Sequence, residues 1–246
     1  MTTPLAQHRV EVERNLRAWH DKPLLHSIYA HFYQRILALL NPQVTGRIVE
    51  IGSGIGNLKA HLPLALATDL FPNPWLDLVC DGYELPFVQG RVSHLILFDV
   101  FHHLRAPGVF LREARRVLNS QGRVLIFDPY ISWCSCPVYG LLHHEPVAWG
   151  QPISSADTLS RPRDYYAAQG NATRLFFRKG NPGWPEGWAV FHRQAFASFS
   201  YLLAGGFTKP AVYPRAFLGA LERIDHLLTR WPRLFGARCL VGLTPR

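Results

Sequence analysis

Val49-Glu50-Ile51-Gly52-Ser53-Gly54-Ile55-Gly56, with an acid at Asp69 further on, is the stretch that decides the fold of this 246-residue chain. Arg47 to Ile51 is largely apolar and β-branched, suits a buried parallel strand, and stops at the first glycine. Glycines at 52, 54 and 56 let the backbone turn tightly and approach a ligand where any Cβ would collide. Leu66-Ala67-Thr68-Asp69 then reads as a second short strand ending in an acid, and a carboxylate there can accept hydrogen bonds from both hydroxyls of a ribose. Strand, glycine turn, strand and acid in that order predict a Rossmann-like fold.

Two nucleotide chemistries compete for this geometry. A dinucleotide needs its pyrophosphate on a helix N-terminus, with glycines spaced G-x-G-x-x-G. Here the spacing is G-x-G-x-G, and Asn57 stands where the third glycine would fall. Glu50, two residues before the first glycine, suits a positive sulfonium and amine and would repel a pyrophosphate. The pattern therefore points to S-adenosylmethionine. The same glycines would also serve a plain strand-to-helix turn that binds nothing.

Downstream come Cys80-Asp81-Gly82-Tyr83-Glu84-Leu85-Pro86-Phe87, then Ser93 to Asp99 and Val100-Phe101-His102-His103-Leu104, then Phe110 to Leu118 and Gly122 to Pro129. In this order, from about Arg47 to Tyr130, the chain resembles class I S-adenosylmethionine-dependent methyltransferases, most closely the methyltransferase type 11 family that includes ubiquinone and menaquinone C-methyltransferases. The resemblance implies an α/β fold: a Rossmann-like, seven-stranded, mostly parallel sheet with helices on both faces and an antiparallel last strand. It also implies cofactor contacts. Glu50, Gly52, Ser53, Gly54 and Gly56 match the glycine motif, and Asp69 with Leu70 matches the ribose-binding end of the second strand. Asp81 would lie beside the adenine amine, with Gly82 contributing backbone. Phe98 and Asp99 close the fourth strand, where Asp99 would orient loop amides or contact the methionine end of the cofactor, or simply cap the turn.

The resemblance carries no acceptor specificity, because one fold hosts many chemistries. Length allows one methyltransferase domain over 1–246, divided into an N-terminal helical cap (1–42), a cofactor-binding core (43–129), an insertion (130–190) and C-terminal helices and strands (191–246). Apolar spacing predicts helices through the first forty residues, split at Pro23, with Tyr29 and Tyr33 either closing the site or packing in the core. The insertion is rich in prolines and aromatics without clear periodicity, and is expected to cap the acceptor pocket. Beyond it, Phe191 to Leu203 reads as a helix ending at Gly205-Gly206, Phe207 to Val212 as a strand, Ala216 to Thr229 as a helix, and Cys239 to Leu243 as the last strand.

Four cysteines offer neither a disulfide framework nor paired zinc-site spacing, and read as reduced thiols. With no leader pattern or spanning apolar stretch, the expected location is the cytoplasm. The net charge of +9 comes from 26 basic against 17 acidic residues, mostly dispersed arginines, without a recognisable RNA-binding module. Nucleic acid is accordingly disfavoured against a small-molecule or lipid-linked acceptor, with peripheral membrane contact compatible and the oligomeric state open.

Alignment of nucleophile and methyl does much of the work of methyl transfer, and a base is needed only where the nucleophile must lose a proton. Base candidates at or beyond the strand ends are His102, His103, His143, His144, Glu145, Asp128 and Tyr130. His143 and His144 stand out because they lie in the insertion beside Glu145; His103 falls where the resembling family commonly has histidine whatever its acceptor, which favours a loop-buttressing role. Adjacent histidines diverge on a regular backbone, which disfavours His143-His144 as ligands, and no metal is expected in this protein. Tyr130, Glu145, Arg174 and Arg178 are candidate acceptor contacts, the two arginines flanking Phe176-Phe177 with Lys179 as a basic, aromatic rim. The expected activity is methylation of a small-molecule, glycan or lipid-linked acceptor at oxygen. C-methylation of a quinone or aromatic ring and a non-catalytic scaffold that binds S-adenosylmethionine are the alternatives.

Overall fold

The computed structural model describes residues 4–143, 145–150, 153, 166–178 and 186–246. Among them, seven strands form one sheet: β1 (Arg47–Ile51), β2 (Leu66–Asp69), β3 (Leu78–Val79), β4 (Val92–Phe98), β5 (Leu118–Pro129), β6 (Trp188–Ala197) and β7 (Gly236–Pro245). Their spatial order is β3-β2-β1-β4-β5-β7-β6. Pairing is parallel from β3 through to β5, while β7 runs antiparallel to both β5 and β6. Strand order reverses between β1 and β4, so the crevice beyond Ile51 and Phe98 is the switch point where ligands bind in open α/β sheets.

The central strands are apolar on both faces because both are covered. Leu95 and Leu97 of β4, with Val124 and Ile126 of β5, point to one side, where α3 (Pro107–Val117) contributes Phe110, Leu111 and Ala114. Ile96, Leu125 and Phe127 alternate to the other side, against Leu25, Ile28, Phe32 and Ile36 of α2 (Pro23–Leu37). That spacing of apolar residues puts one stripe of α2 on the sheet. Pro23 separates α2 from α1 (Pro4–Asp21), as the sequence predicts.

The described parts of the insertion hold α4 (Ser135–Pro137), a π-helical turn over Val138–Leu142 and α5 (Asn171–Phe176). After β6 come α6 (Phe199–Leu203), α7 (Leu218–Leu228) and α8 (Pro232–Phe235).

Two local expectations are corrected. Most of Phe191 to Leu203 is strand: β6 pairs with β7 from Trp188↔Pro245 to Ala197↔Gly236, and only α6 is helical. Pairing along a ten-residue partner outweighs the helical preference of Arg193, Gln194 and Ala195. Phe207 to Val212 forms turns instead of a strand. Gly205 and Gly206 take φ of 69° and 48°, and the Thr208 and Lys209 amides fold back to Gly205 O at 3.2 and 2.9 Å. Among the described residues, no helix is long and apolar enough to cross a membrane.

Candidate active site

One cavity of about 750 Å³ lies at the switch point, within the range of small-molecule sites. Its floor is the turn Gly52-Ser53-Gly54-Ile55 with Glu50, Asp69, Leu70, Asp81, Gly82, Phe98 and Asp99 around it. The N-terminal helices supply His8, Glu11, Arg14 and Asn15 from α1 and Tyr29 and Tyr33 from α2. The insertion supplies Tyr139, His143, Glu145, Tyr166 and Gln169, while α6 and the turn after it supply Tyr201 and Phe207.

The three glycines do different things. Gly52 has φ of 68°, and a Cβ there would lie 2.5 Å from Val100 Cγ2. Gly54 has φ of 52° and faces open space, its amide donating to Asp69 Oδ2 at 3.0 Å. Gly56 does not line the cavity; a Cβ there would meet the Trp75 ring at 2.7 Å, so it serves packing. Asp69 Oδ1 accepts the Leu70 amide at 2.7 Å, which fixes this carboxylate at the cavity edge. Asp81 Oδ1 caps its own turn by accepting the Tyr83 amide at 2.9 Å.

Glu50 is buried, and its Oε2 has no hydrogen-bond partner among the described residues; the same holds for Ser53 Oγ. Burial pushes the Glu50 carboxyl up to about 8. An unsatisfied buried carboxylate is costly and calls for a cationic or donating group. These orphaned atoms, with the open space at Gly54, fit a ligand that combines positive charge with a nucleoside.

A histidine and carboxylate cluster also lines the cavity. His102 is buried, with Nδ1 2.9 Å from Asp128 Oδ1 and Nε2 3.3 Å from Glu145 Oε2. Despite the desolvation that opposes charge, these carboxylates raise its pKa well above the ordinary value. His103 donates Nδ1–H to Tyr166 O at 2.8 Å, which leaves Nε2 as the lone-pair nitrogen, 3.5 Å from Glu145 Oε1. Burial and the neighbouring His102 push His103 down to about 4. The Glu145 amide donates to His143 Nδ1 at 3.2 Å, and Gln169 donates Nε2–H to Glu145 Oε2. At the end of β4, Asp99 takes a left-handed φ of 56° and receives the guanidinium of Arg238 from β7.

Of the sequence-selected residues, the cavity thus brings together Glu50, Gly52, Ser53, Gly54, Asp69, Leu70, Asp81, Gly82, Phe98, Asp99, His103, His143 and Glu145. Tyr130 stacks edge-on against Phe177 at 5.0 Å, Arg178 lies over Trp149 at 4.0 Å, and neither they nor Arg174 line the cavity. His144 and Lys179 lie outside the described residues. Sequence reasoning missed Arg238, Tyr201, Gln169 and the polar face of α1. The one available signal was Arg238, a lone charge inside the apolar run Ala237 to Leu243.

Residues 49–126 match the methyltransferase domain family. No curated protein matches the chain. Among solved structures, the fold is similar to a chain from the complex of the Haloferax volcanii Trm112 methyltransferase activator with a methyltransferase, at 20% identity and a TM-score of 0.51, covering 94% of this chain and 96% of that one. It is similar to a Thermotoga maritima S-adenosylmethionine-dependent methyltransferase at 14% identity and a TM-score of 0.50, over 96% and 99% of the two chains. A geranyl diphosphate methyltransferase in complex with S-adenosylmethionine gives 13% identity and a TM-score of 0.52, over 90% and 87%. These likenesses bear on the fold, while the matched segment contains the glycine turn, Asp69, Asp81 and Asp99. The match over residues 49–126 identifies a methyltransferase domain, for which S-adenosylmethionine is the cofactor.

Proposed function

We propose that this enzyme methylates a hydroxyl oxygen of a small-molecule, glycan or lipid-linked acceptor held against the His103–Glu145–His143 wall. The observation that carries the reading is that one cavity is lined both by a glycine turn with Glu50 and Asp69 and by a histidine and carboxylate cluster. S-adenosylmethionine, when bound, supplies a methyl group on a sulfonium that leaves as a neutral thioether. The chain's own part is placement and proton handling. Asp69, already fixed by the Gly54 and Leu70 amides, would accept the ribose hydroxyls. Asp81 and Gly82 would border the adenine, with Leu70 and Phe98 as apolar walls. Glu50 and Ser53 would meet the positive methionine end, and Asp99 would hold the loop beside it.

On the acceptor side, His103 Nε2 carries a lone pair toward the cavity wall and Glu145 a carboxylate, so an acceptor hydroxyl there has a place to lose its proton. His143, whose Nδ1 accepts the Glu145 amide, would present Nε2–H as a donor to hold the acceptor oxygen. A second reading, C-methylation of a quinone or aromatic ring, is favoured by the Tyr29, Tyr33, Tyr201 and Phe207 side chains that also line the cavity.

The test is a screen of phenols, quinones and lipid-linked sugars for methyl transfer, with His103→Ala run in parallel. The oxygen reading predicts a loss of roughly 10²- to 10⁴-fold in kcat for His103→Ala on a hydroxyl acceptor. A ring-carbon product formed at nearly wild-type rate by the variant would select the second reading.

A further inference from the structure

We propose that His102, His103 and Glu145 form a binding site for a divalent first-row transition metal ion on the acceptor wall of the cavity. The two imidazoles are adjacent in a 3-10 turn, Phe101–His103, yet their rings stand side by side with centroids 4.1 Å apart. His102 Nε2 lies 3.3 Å from Glu145 Oε2, and His103 Nε2 lies 3.5 Å from Glu145 Oε1. Donors at about 2.0–2.1 Å from a tetrahedral ion stand about 3.3 Å from one another, close to these two distances, and the three residues offer ligand atoms that all lie within 4.8 Å of one another.

The surroundings match what metal-bound histidines require. Each ring turns Nδ1 to an acceptor, Asp128 Oδ1 at 2.9 Å for His102 and Tyr166 O at 2.8 Å for His103. Both Nε2 atoms are thereby oriented as ligands, the arrangement in which an outer carboxylate or carbonyl fixes the tautomer. Gln169 holds Glu145 in turn. Charge agrees as well. Asp128 and Glu145 are 0% and 7% exposed, so two buried carboxylates accompany the two imidazoles, while the neighbouring Asp99–Arg238 pair is neutral. A dication balances the two carboxylates. The alternative grouping of Asp99, His102 and Asp128 is a poorer site, because the Asp99 carboxylate is already engaged by the Arg238 guanidinium.

Two imidazoles and one carboxylate suit zinc, iron(II), cobalt(II) or manganese(II) better than magnesium or calcium, which take oxygen shells. His102, His103 and Glu145 all line the cavity, so remaining coordination positions would be reachable by an oxygen donor of the acceptor. This last step rests on the oxygen-methylation reading above, and it changes one part of it. With an ion bound, His103 Nε2 would be a ligand and not the base, and coordination would lower the pKa of the acceptor hydroxyl so that its proton could pass to water.

The test is titration of the chelator-treated protein with Co²⁺, followed by its visible absorption and by calorimetry, on wild type, Glu145→Gln and His103→Ala. Thermal melts check that each variant is folded. One ion bound to wild type, with about 100-fold weaker binding in both variants, supports the site. Absence of binding to wild type, or equal affinity in the variants, overturns it. Titration of the same samples with S-adenosylhomocysteine keeps the outcomes apart: the cofactor end should bind equally in all three, so failure there concerns the methyltransferase reading and not the metal.

Discussion

Asp99 and Arg238 stand 139 residues apart in sequence, and in the fold both carboxylate oxygens of one meet the guanidinium of the other, Nη2 to Oδ2 at 3.0 Å. Arg238 is 2% exposed and lies over the ring of Tyr201 at 4.3 Å. The pair ties the loop after β4 to β7, and so ties the cavity floor to the C-terminal strand.

Removing the guanidinium leaves the Asp99 carboxylate without its cation and opens a hole among aromatic rings. Arg238→Met should therefore cost about 3 kcal/mol in urea unfolding. Arg238→Lys should fall between the two, because an ammonium cannot make the paired contact. A change under about 0.5 kcal/mol for Arg238→Met would mean that the pair contributes no net stability.

Glu50 gives a pH dependence with a definite sign. Its folded carboxyl is raised from 4.5 to about 8, so between these values the folded state holds a proton that the unfolded state has released. Stability of the cofactor-free protein should fall as pH rises from about 4.5 to about 8 and then level off. Glu50→Gln should lack this component and be the more stable protein above pH 8. If the positive end of S-adenosylmethionine meets Glu50, wild-type affinity should rise over the same window with release of a proton. Calorimetry in buffers of different ionisation enthalpy would detect that proton, and its absence would remove Glu50 from the cofactor contacts.

The glycine turn separates folding from binding. Gly52→Ala forces a Cβ to within 2.5 Å of Val100 in a left-handed backbone and should fail to give stable protein. Gly54→Ala meets only the left-handed strain, about 1–2 kcal/mol, because nothing lies within 4 Å of its Cβ position. It should fold with a lowered Tm and lose at least tenfold in S-adenosylhomocysteine affinity. Unchanged affinity would show that the ligand does not approach this turn.

The strand, glycine turn and acid were legible because their signals are local. Glycines at 52 and 54 form the tight turn read from the sequence, both with left-handed backbone, and Asp69 ends β2 as read. The acceptor half was not, because its cluster is assembled from three separate stretches. His102 and His103 follow β4, Glu145 comes from the insertion, and Asp128 ends β5. No spacing rule links them. The divergence argument against adjacent histidines fits regular backbone, and the turn at Phe101–His103 brings two rings together instead. At the C-terminal end, β6 was misread because an edge strand is decided by its partner: β7 supplies the pairing that Phe191 to Ala197 alone does not reveal.

The central claim is that one cavity has a cofactor end at Asp69 and an acceptor end at His103, and calorimetric titration with S-adenosylhomocysteine tests it most directly. Wild type and His103→Ala should bind with similar, micromolar affinity, while Asp69→Ala should lose binding by at least tenfold, with NAD failing to bind any of them. Equal binding by Asp69→Ala, or binding of NAD alone by wild type, would contradict the account.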